Sequence, residues 1–154
     1  SVQALPSYVF YGQDGLTSLT IPRSVTSIGT KSFSDNLSIN RIDYLGDING
    51  WCGIDFGWSP LSVIHNLYIN NARVTTPTIS ASVIKAYAFQ GATCLTSVTF
   101  TNSVSEIGDS AFDACDHIAG ISSFAVTPPT VGDGTFVGVY KNIPLNVTAE
   151  GVQA

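Results

Sequence analysis

The residues with the greatest capacity for chemistry in this 154-residue chain are two histidines, three cysteines and 11 acidic side chains. Neither His65 nor His117 has a Cys, Asp or Glu at the spacing a zinc site uses. Cys52, Cys94 and Cys115 are odd in number and form no Cys-x-x-Cys pair, so they read as small buried thiols. A serine nucleophile needs a base and an orienting group, and no G-x-S-x-G elbow occurs to present one. Asp109, Asp113 and Asp116 lack the D-x-D-x-D-G order of a calcium loop and read as solvated turn residues. No catalytic residue, metal or cofactor is expected, and the chain is not read as an enzyme.

Charge narrows the partners further. Only 11% of residues are charged and the net charge is −5, the wrong sign for replacing the counterions of a nucleic-acid backbone. Hydrophobic residues reach 44%, enough for a packed core. No apolar run is long enough to cross a bilayer, and residues 1–20 carry no basic segment leading into an apolar one, so neither membrane insertion nor a signal peptide within this chain is expected.

Any site must therefore be a binding surface, and the elements that carry it follow from a repeat. Phe10, Phe33 and Phe56 are 23 residues apart; Phe89 follows after 33, Phe112 after 23 and Phe136 after 24. Apolar triplets recur with them: Leu16-Leu19-Ile21, Ile39-Ile42-Tyr44 and Leu95-Val98-Phe100. Each triplet turns three apolar groups to one side of an extended segment rich in Thr, Val and Ile. Val25 and Ile28, and likewise Val104 and Ile107, return to the core. Gly29, Gly108 and Gly132 then occupy places a side chain would obstruct. The Ser-Phe or Ala-Phe step after them has room for one helical or 3₁₀ turn. One such coil cannot bury its apolar side, but stacked coils can. The spacing thus predicts a single solenoid over residues 1–154 of about five full or partial coils, with the phenylalanines in one internal column. An insertion is expected at 57–73 and a closing segment at 124–154.

The segment Leu16 through Phe33, with Ile21-Pro22, Val25 and Ile28-Gly29, resembles the BspA-type leucine-rich repeat. So does Leu95 through Cys115, with Val98, Ile107-Gly108 and Ala111-Phe112. The resemblance runs over nearly the whole chain and departs from the pattern in three places. Ser80 stands where proline follows the apolar triplet, two residues are missing between Ile79 and Ile84, and extra residues follow Phe56. It implies an α/β leucine-rich-repeat solenoid, right-handed, β-rich and with little helix, its parallel sheet on the concave face. It also implies an extracellular or cell-surface module of bacterial type, binding a host or neighbouring-cell protein. A structural spacer within a larger surface protein and a glycan-binding module are the alternatives.

The candidate binding residues are those such a solenoid would display. Arg41, Asp43, Thr76, Thr78 and Thr99 alternate with core positions and fall on the outward strand face, where threonine columns also serve simply as cross-strand ladders. Trp58 and Tyr68 belong to the insertion and are aromatic types that anchor interfaces. Within the insertion the sequence predicts a short helix over Pro60–Asn66 capped by Ser59, a strand at Leu67–Ile69 and a turn at Asn70-Asn71.

Overall fold

A computed structural model describes residues 1–62 and 64–147. It is a β-solenoid of about six turns whose regular elements are short strands in parallel sheets, with almost no helix. In chain order these are β1 (Ala4–Leu5), β2 (Ser18–Ile21), β3 (Ser27–Ile28), β4 (Arg41–Tyr44), helix α1 (Ile48–Cys52), β5 (Asp55–Phe56), β6 (Leu67–Ile69) and β7 (Ala72–Arg73). The second half carries β8 (Thr78–Ile79), β9 (Val83–Ile84), β10 (Val98–Phe100), β11 (Glu106–Ile107), β12 (Ile121–Ser123), β13 (Thr130–Val131) and β14 (Leu145–Val147). The expected closing segment is described as far as β14; residues 148–154 lie outside the described residues.

A regular coil contributes one strand to each of two parallel stacks, and both stacks are interrupted at the same place. The first half forms sheets β2-β4-β6-β7 and β1-β3-β5; the second forms β8-β10-β12-β14 and β9-β11-β13. All pairings are parallel except the β6–β7 hairpin. Between the stacks lies one contiguous core. Ile21, Ile28, Phe33, Phe56, Phe89, Leu95, Val98, Ile107 and Phe112 are buried in it, while Phe10, Leu16, Leu19 and Phe136 pack partly buried against it.

The phenylalanine turn is not a 3₁₀ helix. Tyr8 and Gly12, Lys31 and Asp35, Ser110 and Ala114, and Gly134 and Gly138 all have positive φ, two left-handed residues four apart flanking each ring. That arrangement prevents a helical run and turns alternate N–H groups towards the next coil. Tyr8, Phe10 and Gly12 donate to the carbonyls of Thr30, Ser32 and Ser34 at 3.1, 3.0 and 3.1 Å. Tyr87, Phe89 and Gly91 donate likewise to Asp109, Ala111 and Asp113, and Ser110, Phe112 and Ala114 to Asp133, Thr135 and Val137. The rings stack in step, Phe10 on Phe33 at 6.0 Å, Phe89 on Phe112 at 5.1 Å and Phe112 on Phe136 at 5.6 Å.

The repeat glycines answer to the coil before them. A Cβ on Gly108 would sit 2.5 Å from the Ala86 backbone nitrogen, and one on Gly57 2.7 Å from that of Thr30. Lys85 occupies the equivalent position of the fourth coil without a glycine. Its N–H donates to Cys52 O at 2.9 Å, whereas Gly108 N donates to Ile84 O and Gly57 N to Ile28 O. The fourth coil therefore rests on the end of α1 instead of on β5, and there a side chain has room.

This junction corrects three expectations. Phe56 does not join the column of Phe10 and Phe33; it lies opposite Ile28 in the β3–β5 pair and packs against Trp51 at 5.1 Å. The 23-residue interval from Phe33 is coincidental, because α1 adds residues between β4 and β5. The extra length is not one block at 57–73 either. Leu67–Ile69 is a regular strand in register with Ile42–Tyr44, so the extra residues fall at α1 and at the hairpin that follows β6. Finally, no helix forms at Pro60–Asn66 among the described residues, Val63 lying outside them. Ser59 Oγ does accept from Leu61 N and Ser62 N, yet His65 at φ 62° ends the turn at once. The one helix among the described residues is α1, capped by Asp47, whose side chain accepts from Gly50 N at 2.7 Å. The expectation of about five coils falls short of the six observed.

Candidate interaction surface

The outward positions of β4 and β6 build a compact polar corner. Asp43 and Tyr68 are directly opposite in the parallel register, next to Thr20 on β2. Asn70 and Asn71 both have positive φ, which gives a two-residue type I′ hairpin closing Tyr68 onto Arg73. The turn swings Asn71 back over the sheet. Its N–H donates to Asp43 Oδ1 at 3.0 Å, while Arg41 Nη2 donates to Asp43 Oδ2 at 2.9 Å and to Asn71 Oδ1 at 2.8 Å. The guanidinium lies over the Tyr68 ring with Cζ 3.9 Å from its centroid. Asp43 is thereby saturated, its side chain only 8% exposed, while Arg41 keeps 32% of its side chain in solvent. An acceptor-only carboxylate so engaged acts as an anchor for the arginine. Asn71 was missed by sequence reading, which used the Asn-Asn pair only as a turn signal.

Thr76, Thr78 and Thr99 lie across the sheet break. Thr78 and Thr99 are in register and continue into Ser122 and Asn146, a hydroxyl and amide column separate from the Thr20–Asp43–Tyr68 column. Thr78 is exposed and Thr99 half-buried. Thr76 lies in the segment between β7 and β8, on a groove of about 350 Å³ that also meets Ile69, Arg73 and Pro77. The single continuous display expected from the sequence is thus divided in two by the β6–β7 hairpin.

Trp58 joins neither sheet. It follows β5, stacks on Tyr87 at 6.1 Å and remains 48% exposed. A different cleft, of about 370 Å³, brings it together with Ser62, His65, Gln90, Thr93 and Asp116.

The remaining reactive groups are structural in their contacts. His65 and His117 approach the Gly91 and Thr93 carbonyls through Nδ1 at 2.9 and 2.7 Å. All three cysteines are free and buried. Burial pushes the Cys115 thiol up to about 12, and raises those of Cys52 and Cys94 as well. Cys115 Sγ donates to Phe89 O at 3.0 Å, the place where Asn36 Nδ2 donates to Phe10 O in the second coil. Among the described residues no three of His, Cys, Asp or Glu converge on a metal position, and no helix is long and apolar enough to cross a membrane.

No curated protein and no solved structure matches the chain. The family model of the BspA type leucine rich repeat region matches it in six copies over residues 1–51 and 62–148. The stretch between them holds β5, Trp58 and Ser59, where α1 has displaced the regular register. Coils in phase on both sides of that displacement, and a family model whose one internal gap falls on it, have one meaning: the chain belongs to the BspA-type leucine-rich repeat family.

Proposed function

We propose that the chain is a non-catalytic binding module of an extracellular or cell-surface protein, taking a protein partner on the outward sheet faces. The observation that supports this reading best is the Arg41–Tyr68 corner. Arginine and tyrosine are the side chains that most often dominate protein interfaces, and rotamer freedom is the cost they bear on binding. Here Asp43 and Asn71 hold the guanidinium over the ring before any partner arrives. Across the sheet break, the uncharged Thr78, Thr99 and Ser122 column offers hydrogen bonds with little desolvation cost. A host or neighbouring-cell protein with an acidic patch suits this surface.

The test is retention of extracellular-matrix and host-surface proteins on the immobilised chain. Tyr68→Ser and Arg41→Lys should each weaken retention about tenfold or more, as loss of an interface anchor does. Thermal unfolding midpoints of the variants separate loss of binding from loss of fold. Retention unchanged in folded variants would remove the sheet corner from the account. Competition by free sugars would favour a glycan ligand instead, and no retained partner at all would favour a spacer.

A further inference from the structure

The cleft beside Trp58 stands apart from the sheet surface: neither Arg41 nor Tyr68 lines it. Three of the polar side chains around it bear on what it could hold, beside the hydroxyls of Ser62 and Thr93. His65 Nδ1 faces the Gly91 carbonyl, which can only accept, so Nδ1 carries a hydrogen and the uncharged form of the ring has Nε2 as its acceptor. Gln90 Nε2 donates to Asp113 Oδ2 at 2.8 Å. Reversing that amide would set oxygen against carboxylate, so Oε1 is fixed as an acceptor, and it is buried without a partner among the described residues. Asp116 adds a carboxylate half in solvent, with His117 Nε2 4.0 Å from Oδ1 and no other ion-pair partner among the described residues. No Lys or Arg side chain lines the cleft. Tyr87 holds the Trp58 ring at an interplanar angle of 26°.

We propose that this cleft receives a cationic side chain of a partner protein, arginine in particular, stacked on Trp58 and paired with Asp116. Tryptophan is the best of the aromatic platforms for a cation. A planar guanidinium can stack on the indole while its edge gives parallel donors to a carboxylate, which an ammonium cannot do. The exposed Asp116 carboxylate, with no Lys or Arg among the lining side chains, selects a ligand that donates and carries positive charge. The site runs across three coils, with Trp58 and His65 from the third, Gln90 from the fourth and Asp116 from the fifth.

The experiment is a titration of the isotope-labelled chain with N-acetylarginine methylamide, following the Trp58 indole N–H and Gln90 side-chain amide signals by NMR. The neutral isostere N-acetylcitrulline methylamide and methyl glucoside serve as controls. Saturable shifts of both signals with the arginine probe alone, weakened about tenfold by Asp116→Asn, are the expected result. Because Asp116 is exposed, that variant reads the site and not the fold; Trp58→Leu, checked for unchanged β-sheet circular dichroism, gives a second reading. Absence of saturation, equal shifts with citrulline, shifts with the glucoside in place of arginine, or indifference to Asp116→Asn would each overturn the proposal.

Discussion

The indole Nε1 of Trp51 donates to the Ala88 carbonyl at 2.8 Å, where a regular coil would supply a backbone N–H. In the intact stacks the carbonyls of Ser32 and Ala111 accept from Phe10 N and Phe89 N, and Ala88 holds the same place in its own coil. Two residues on, Gln90 O corresponds to Ser34 O, which accepts from Gly12 N; it accepts instead from Ser59 Oγ at 2.6 Å. Where the fourth coil rests on α1 instead of on β5, side chains of the third coil replace the missing backbone donors. A buried carbonyl left without a donor costs roughly 1–3 kcal/mol, so the substitution preserves the stack where its ladder is broken.

Asn49 on α1 explains the departure at residue 80. Its Oδ1 accepts from both Ser80 N and Ala81 N at 2.9 Å, and its Nδ2 donates to Ser80 Oγ at 2.9 Å. Proline, the ordinary residue of the repeat at that place, has no N–H to give. Ser80→Pro should therefore destabilise the chain by about 2 kcal/mol in chemical denaturation, despite restoring the family pattern. An unchanged or raised midpoint would show that the α1 contact contributes nothing.

The phenylalanines divide by column. Phe112 is fully buried between Phe89 and Phe136, and Phe112→Ala should cost about 3–5 kcal/mol. Phe124 is 50% exposed, and its truncation should cost less than about 1 kcal/mol. Phe56 occupies the Ile28 column, so Phe56→Ile should be milder than Phe112→Ile. Urea unfolding of the variants ranks them; equal losses at 56 and 112 would contradict the register.

Backbone positions make opposite demands. Gly108→Ala drives a Cβ against the Ala86 backbone and should cost about 2 kcal/mol or more. Ala114 is exposed at φ 56°, a conformation costly for any residue with a Cβ, and Ala114→Gly should stabilise by about 1 kcal/mol. Thermal unfolding of the pair checks both signs.

Burial raises Cys115 from 9.0 to about 12. The folded chain thus holds this proton more tightly than the unfolded chain does. The associated stability is complete below pH 9 and is withdrawn as pH rises from 9 towards 12. Cys52 and Cys94 shift in the same direction. A thiol reagent at pH 8 should label none of the three in the native chain and all of them in denaturant. Rapid labelling of native protein would place a thiol outside the core.

The regular coils were legible because their signals are periodic. Ile28-Gly29 and Ile107-Gly108 report both the returning strand and the close approach of the preceding coil, and Phe33 and Phe112 mark the turns between the stacks. The junction was not legible, for a physical reason. Phe56 happens to fall in phase with Phe33, while the pairing that decides its place depends on how much chain α1 consumes. Five residues with two asparagine or glycine positions, Ile48–Cys52, carry little helical signal of their own, and tertiary contacts through Asn49 and Trp51 hold them. The candidate surface was half legible. Alternation placed Arg41, Asp43, Thr78 and Thr99 on strand faces, but the hairpin that brings Asn71 onto Asp43 and separates the threonines depends on where the extra residues fall. Trp58 was grouped with Tyr68 by chain proximity, and the fold sends them to different surfaces.

Hydrogen exchange at the two indoles tests most directly whether side chains complete the broken ladder. Trp51 Nε1–H should exchange as slowly as the backbone N–H groups of Phe89 and Phe112, opening only with global unfolding, while the half-exposed Trp58 indole exchanges fast. Comparable fast exchange at both indoles would mean that the third and fourth coils are not joined as described.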